Sequence, residues 1–321
     1  MRDKPKVFIK SCHSTLEYDQ ALMFLRMGCA VAGNFDVGSV QRPKLEGVTD
    51  REHNFEDGVR EADVFLLHQI ENFHTAFEDI CKARRHDQPV VINAFGQGCM
   101  DQHRYVTNVT KIFKNAYIVA YSITDYTRYR ELGVEEDKIR MIRFGKAFED
   151  YDQIPWTGKL PICYMACNSI IERGEGCGLW LSQALGETDL PLVITGRETS
   201  EMVPNGLGLL EPIAMFNLYR NARCYFVIGT QPAPYTLTLI EAMACGCPVI
   251  AYDNGCGIAD EGFPIPLVTG VSSALRGIGE VIGNLPLAQA MGKQGYDYAR
   301  EHFNSKHQAK KWMTFFEEMG I

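Results

Sequence analysis

The 321-residue chain lacks any run of about twenty uninterrupted apolar residues, so no membrane-spanning helix is expected. Its opening, MRDKPKVFIKSCHS, holds too short an apolar stretch for a secretory leader, and a cytoplasmic protein is expected. Matched Cys/His pairs at finger-like spacing are missing as well. Cys163/Cys167 and Cys245/Cys247 have no partner pair, which argues against structural zinc. The 11 cysteines are odd in number and fall mostly in apolar segments such as ICYMAC and ACGC, the pattern of reduced core thiols. Positive charge is also in short supply: the net charge of −8 argues against a general polyanion binder. Residues 1–150 hold 21 Lys and Arg against 23 Asp and Glu, a net −2, which leaves −6 for the remainder. The first half can carry a basic face; the second is acidic.

What is present is the balance of a soluble globular protein, 46% hydrophobic and 22% charged. The length allows two domains, each with its own core. Short apolar runs alternate with helix-period segments: KVFIKS then LEYDQALMFLRMG, CAVAGNF, ADVFLLHQ then FHTAFEDICKARR, PVVINAFG then HRYVTNVTKIFKNA, YIVAYS then TDYTRYRELG, and KIRMIRFG. This rhythm implies a parallel sheet with helices on both faces. It breaks at KAFEDYDQIPWTGKLP, which places a domain boundary near residues 150–158. A second α/β round follows, through LPICYMAC, LPLVITG, CYFVIGT, PVIAYD and FPIPLVTG, to a helical end from Val271. No residue-level repeat joins the two halves.

The stretch TQPAPYTLTLIEAMACGCPVIAYDNG sets a Glu, several small residues, a Gly and a Pro between a helix and an apolar strand. It resembles the donor-site signature of GT-B glycosyltransferases, in particular the large retaining family whose helix carries Glu, seven residues and a second Glu. The resemblance puts the second Glu at Glu241, where the family holds the donor ribose, because a carboxylate accepts two hydrogen bonds from a vicinal diol. Ala242, Ala244 and Gly246 would let the helix lie close to the sheet, and Gly246 with Pro248 would turn the chain. The bland alternative is a tight helix-to-strand joint with an incidental Glu. YIVAYSITDYTRYRELGVEEDKIRMIRFGKAFEDY, LPLVITGRE and the final MGKQGYDYAREHFNSKHQAKKWMTFFEEM resemble other parts of the same fold.

The resemblance implies two Rossmann-like domains facing across a cleft: residues 1–152 on the acceptor side, 153–300 holding the nucleotide sugar, and 301–321 a helix returning to the first domain. It implies a UDP-sugar as co-substrate and no obligatory cofactor or metal. Two departures leave donor and stereochemical course open. Ala233 stands at the first Glu, and Gly176 stands about where a phosphate-binding Lys is expected. Tyr235 and Thr236, at the start of the Glu241 helix, and Gly196, after a strand, are expected donor contacts; Arg173, Arg197 and Arg143 are candidates for the diphosphate, or else solvated surface arginines.

On the acceptor side, His13 and Asp19 are candidate bases in SCHSTLEYD, where Glu17 and Asp19 could equally serve the dipole of a helix capped by Ser14 or Thr15. His68 ends one strand and Gln97 sits in the loop after another; both ends are expected at the same cleft edge, where they could meet an acceptor, although a strand-end His is more often structural. Asp150 and Asp152 form an Asp-x-Asp that reads as solvated linker acid rather than a metal motif.

No helix of the first half keeps a sustained basic face, so stable membrane association and a lipid-linked acceptor are not expected. HSTLEYDQALMFLRMGCAV, VVINAFGQ and PYTLTLIEAM are similar to compact phage and environmental glycosyltransferase-like sequences. That resemblance implies 5-hydroxymethylated pyrimidines in double-stranded DNA as acceptor, in the host cytoplasm if the gene is a phage's. Lys82, Arg84, Arg85, Arg104, Lys111 and Lys114, with Arg128 and Arg130, could supply a phosphate-binding patch, or simply keep helices soluble. A glycan or small-molecule acceptor, a nucleotide-sugar epimerase and a non-catalytic nucleotide or nucleic-acid binding module remain the alternatives.

Overall fold

The computed structural model describes residues 4–10, 14–33, 45–50, 55–68, 81, 84–85, 87–94, 99–151, 155–202 and 206–321. The chain forms two compact units, one of residues 1–147 and 303–321, the other Phe148–His302.

The first unit is built on seven strands: β1 (Lys6–Lys10), β2 (Ala30–Gly33), β3 (Val48–Asp50), β4 (Val64–His68), β5 (Val90–Ala94), β6 (Ala116–Ala120) and β7 (Ile139–Met141). All adjacent pairs are parallel, in the order β3-β2-β1-β4-β5-β6-β7. Every residue of VFLLH in β4 and VVINA in β5 is buried, as a strand covered on both faces requires. Each such Val, Leu or Ile contributes about 1.5–3 kcal/mol of burial. Helix Ser305–Glu318 belongs to this unit. Its Trp312, 1% exposed, meets Phe24 of helix Ser14–Arg26 edge-on at 5.2 Å and lies 5.7 Å from Phe316.

The chain builds outward from β1 to β3 and then returns to the other side of β1. The reversal falls between β1 and β4, and in open α/β sheets the carboxyl ends at such a point form the ligand crevice. Edge strand β3 was not anticipated, because three residues of VTD offer too little pattern to read.

The second unit has five parallel strands, β8 (Leu160–Ala166), β9 (Leu192–Thr195), β10 (Ala222–Val227), β11 (Val249–Tyr252) and β12 (Leu267–Val268), in the order β12-β11-β10-β8-β9. Its reversal lies between β8 and β10. The helical end anticipated from Val271 resolves into Val271–Gly283 and Leu285–His302 here, with Ser305–Glu318 in the first unit.

Among the described residues no helix is long and apolar enough to cross a membrane.

Candidate functional site

In the second unit, helix Leu237–Ala244 carries Glu241, whose residue is 7% exposed. The helix ends as its sequence requires. The Gly246 N–H donates to the Met243 carbonyl at 2.9 Å and the Cys247 N–H to that of Ala242 at 3.0 Å, with Gly246 at φ +75° in the left-handed region. This paired closure satisfies the last carbonyls and redirects the chain into β11. A buried carboxylate in an otherwise apolar helix is costly without polar company. Glu241 keeps that company. Burial first, and then the Glu241 charge, pushes the phenol of Tyr164 upward. Burial likewise leads at Tyr219, with Tyr225, Tyr164 and Glu241 adding.

Thr236 caps this helix by position, but its hydroxyl bonds Thr238 Oγ1 at 2.8 Å rather than a helix N–H. The opening N–H groups are therefore not taken by the cap residue's side chain, which suits an incoming anion. Tyr235 is buried and meets Phe263 edge-on at 5.2 Å.

The reversal between β8 and β10 is shaped mostly by backbone. After β8 the chain passes through Ser169 at φ 55°, helix Ile170–Arg173, Gly174 at φ 53° and Gly178 at φ 67°. The Gln231 N–H, beyond β10, donates to the Gly176 carbonyl at 2.7 Å and closes the turn. Gly196, just after β9, leaves no room for a side chain: a Cβ there would stand 1.7 Å from the Cys167 carbonyl oxygen. Arg173 and Arg197 are exposed. The N–H groups of Ile171 and Glu172 already donate to Glu198 Oε2, at 2.7 and 3.1 Å.

Cys177 is the residue here that sequence reasoning missed, having grouped the cysteines as core thiols. Its thiol is lowered to about 6 by the hydrogen bond it receives from Cys167, against the effect of burial, with Thr230 and Arg173 also favouring the thiolate. Cys167, as the donor, is pushed up in turn. Cys177 Sγ lies 3.9 Å from Thr230 Oγ1. A Cys four residues after an Arg, in the glycine-rich segment that follows a predicted strand, was the available signal.

In the first unit, the carboxyl ends of β4, β5 and β6 carry buried polar side chains. His68 Nδ1 lies 3.6 Å from Glu17 Oε1, with both side chains fully buried, an ion-pair distance too long for a hydrogen bond. Asn93 Nδ2 donates to Gln20 Oε1 at 3.2 Å, and the Tyr121 hydroxyl donates to the same oxygen at 3.4 Å. Asp19 Oδ2 accepts from Lys146 Nζ at 2.6 Å, and Lys146 is itself 1% exposed. Gln20 and Asn93 were not anticipated, although an Asn inside the otherwise apolar run VVINA was a readable signal.

Arg143 belongs to this unit rather than to that of Glu241. It is buried, over the Phe303 ring at 5.1 Å, and its backbone N–H donates to Gln308 Oε1 at 3.1 Å. The basic side chains make internal contacts. Arg84 lies over Phe113 at 5.0 Å, Arg85 donates to the Arg60 and Ala62 carbonyls, Arg104 pairs with Asp101 at 3.3 Å, and Lys111 Nζ donates to the Leu132 carbonyl at 3.3 Å. The Lys114 carbonyl accepts from Lys138 Nζ. Arg128 pairs with Asp125 at 2.7 Å, and Arg130 donates to the Val134 carbonyl at 2.5 Å. His13, Gln97, Lys82 and Asp152 lie outside the described residues; Asp150 falls in the short helix Phe148–Tyr151. Among the described residues no group of three His, Cys, Asp or Glu could hold a metal ion.

No protein-family model matches the sequence, and neither does any curated protein. Solved structures do. The HepE protein of Anabaena, solved with UDP-glucose, is similar over 97% of this chain and 99% of its own, at 14% identity and a TM-score of 0.73. Sucrose-phosphate synthase of Thermosynechococcus elongatus is 14% identical over 98% of this chain and 99% of its own, with a TM-score of 0.70. The fold is GT-B. Another protein with the fold, an alpha-glucosyltransferase solved with UDP and a 13-mer DNA containing a HMU base, is 10% identical over 99% of this chain and 100% of its own, with a TM-score of 0.70. The GT-B fold brings the two doubly wound units under one description. In such open parallel sheets the ligand crevice lies at the carboxyl ends of the strands, here those of β8, β10 and β11 in the second unit.

Proposed function

We propose that this protein is a glycosyltransferase that moves a sugar from a UDP-sugar to an acceptor hydroxyl. The observation that carries the reading is Glu241: a buried carboxylate on a helix whose first N–H groups are not capped by Thr236, in a fold that HepE uses to bind UDP-glucose. Glu241 takes the ribose hydroxyls. The N-terminus of helix Leu237–Ala244, with Tyr235 and Thr236 beside it, takes the diphosphate together with Arg173 and Arg197. Gly196 serves by letting the β9 end lie against the loop after β8.

The acceptor we propose is a 5-hydroxymethylated pyrimidine in double-stranded DNA, supported by the DNA-bound alpha-glucosyltransferase of the same fold. The first unit supplies the acceptor side. Asp19 reaches a substrate as a base only by giving up its bond to Lys146, and the buried Glu17–His68 pair is a second basic group at the same strand ends. A glycan or small-molecule acceptor is a second reading, favoured by the internal contacts of Arg84, Arg85, Arg104 and Lys111, which leave less free charge for a duplex.

The test incubates the purified protein with a panel of nucleotide sugars, with and without hydroxymethylated duplex DNA, and reads both released nucleoside diphosphate and DNA mass. A sugar-sized mass gain on DNA supports both parts of the reading. Diphosphate release with unmodified DNA keeps the transferase and moves the acceptor to the second reading. No donor turnover with any nucleotide sugar overturns it.

A further inference from the structure

At the strand ends of the first unit, one buried side chain has a donor left over. Gln20 is 6% exposed, and its carbonyl oxygen is fixed by two donors, Asn93 Nδ2 and the Tyr121 hydroxyl. That pair of bonds decides which way the amide faces, since an –NH2 in the same place would meet two donors. Gln20 Nε2 is thereby turned away from them and has no hydrogen-bond partner among the described residues. A buried amide N–H left unmet is costly, so the arrangement needs an explanation.

Gln20 lines a crevice with Asp19, Leu16, Tyr121, Arg143 and Phe144, and the crevice has room for about one water molecule. A ring does not fit there; a single hydroxyl does. Size narrows the class further: a carboxylate or a phosphate brings two or more oxygens to a space for one, whereas the charges of the lining, Asp19 and Arg143, are of opposite sign. A hydroxyl accepts from Gln20 Nε2 and keeps its own O–H for an oxygen of the wall.

We propose that Gln20 binds a neutral hydroxyl of the acceptor, with Asn93 and Tyr121 as positioning residues that hold its amide in the donating orientation. The acceptor role rests on the transferase reading above; the hydroxyl site itself does not. The acceptor therefore belongs to the neutral hydroxyl-bearing compounds, such as a sugar or a hydroxymethylated base, rather than to carboxylates or phosphate monoesters at this contact.

Gln20→Glu is the discriminating variant. It keeps the oxygen that accepts from Asn93 and Tyr121 and removes the free donor. In nitrogen-labelled wild-type protein, the Gln20 side-chain NH2 resonances, assigned by their loss in the variant, are followed while hydroxymethylated duplex DNA, glucose or glycerol is added. A saturable shift with at least one of these probes and none with acetate is the expected result; no shift with any of the three overturns the proposal. With whichever of DNA or glucose the wild type glycosylates, Gln20→Glu is expected to raise the acceptor KM at least tenfold and the donor KM less than twofold. Tyr121→Phe is expected to move the acceptor KM in the same direction by about threefold. An unchanged acceptor KM in Gln20→Glu, or donor and acceptor KM rising together with a lowered Tm, reduces Gln20 to a structural amide. A shift without donor turnover leaves the hydroxyl site standing and removes the transferase reading.

Discussion

The two reversal points of the molecule are built from different materials. Between β8 and β10 the chain is shaped by glycines and left-handed turns, with arginines exposed at the rim. Between β1 and β4, and on to β6, it is shaped by buried side chains in fixed partnerships: Glu17 with His68, Gln20 with Asn93 and Tyr121, Asp19 with Lys146. Backbone N–H groups serve any phosphate, whatever it is attached to. Oriented side chains distinguish one neutral partner from another. The contrast suits a common donor on one unit and a particular acceptor on the other.

The comparison breaks most easily where the backbone is tightest. Gly196→Ala forces a Cβ against the Cys167 carbonyl, and a loss of about 3 kcal/mol or more is expected in chemical denaturation, because backbone rather than a flexible side chain must move. His68→Leu tests the other side. It leaves the Glu17 carboxylate buried with one polar contact fewer, and about 1–3 kcal/mol of stability should be lost. Arg173→Ala, at the exposed rim, is expected to change stability by less than about 0.5 kcal/mol while weakening UDP binding by about 1.5 kcal/mol, read by calorimetry. Equal destabilisation by His68→Leu and Arg173→Ala would erase the distinction between the two regions.

The smallest effect concerns pH. The Cys177 thiol is lowered from the ordinary 9.0 to about 6, so the unfolded chain binds the proton more tightly than the native one between those values. The stability it contributes is fully present above pH 9 and is lost as pH falls through about 6. Melting curves from pH 6 to 9 should therefore rise with pH more steeply in the wild type than in Cys177→Ser. Parallel curves would remove the thiolate.

Much of the fold was legible because parallel strands buried on both faces announce themselves as continuous apolar runs. VFLLH and VVINA became β4 and β5, and the helix–glycine–proline joint after Glu241 became a closed helix end. Short edges were not legible: β3 has three residues, and helix Thr199–Met202 has four. At the candidate sites, the positions of single residues in patterned places could be read, as with Glu241 within its helix and Thr236 at its N-terminus. Partnerships could not. Asp19 read as a candidate base or a helix-dipole acid, because Lys146, 127 positions away in sequence, gives no local sign of its pairing. Arg143 was grouped with the donor arginines because a strand end was visible and its assignment to a unit was not. Cys177 looked inert because its shift comes from Cys167 and Thr230, which only folding brings together.

Glu241 is the residue proposed to hold the nucleotide. Titration of UDP into wild-type protein and Glu241→Ala, each first shown to melt cooperatively, tests it most directly. The variant is expected to bind UDP more weakly by about 1–3 kcal/mol, the worth of hydrogen bonds to a charged group. Equal affinity in the folded variant would contradict the assignment and with it the donor site.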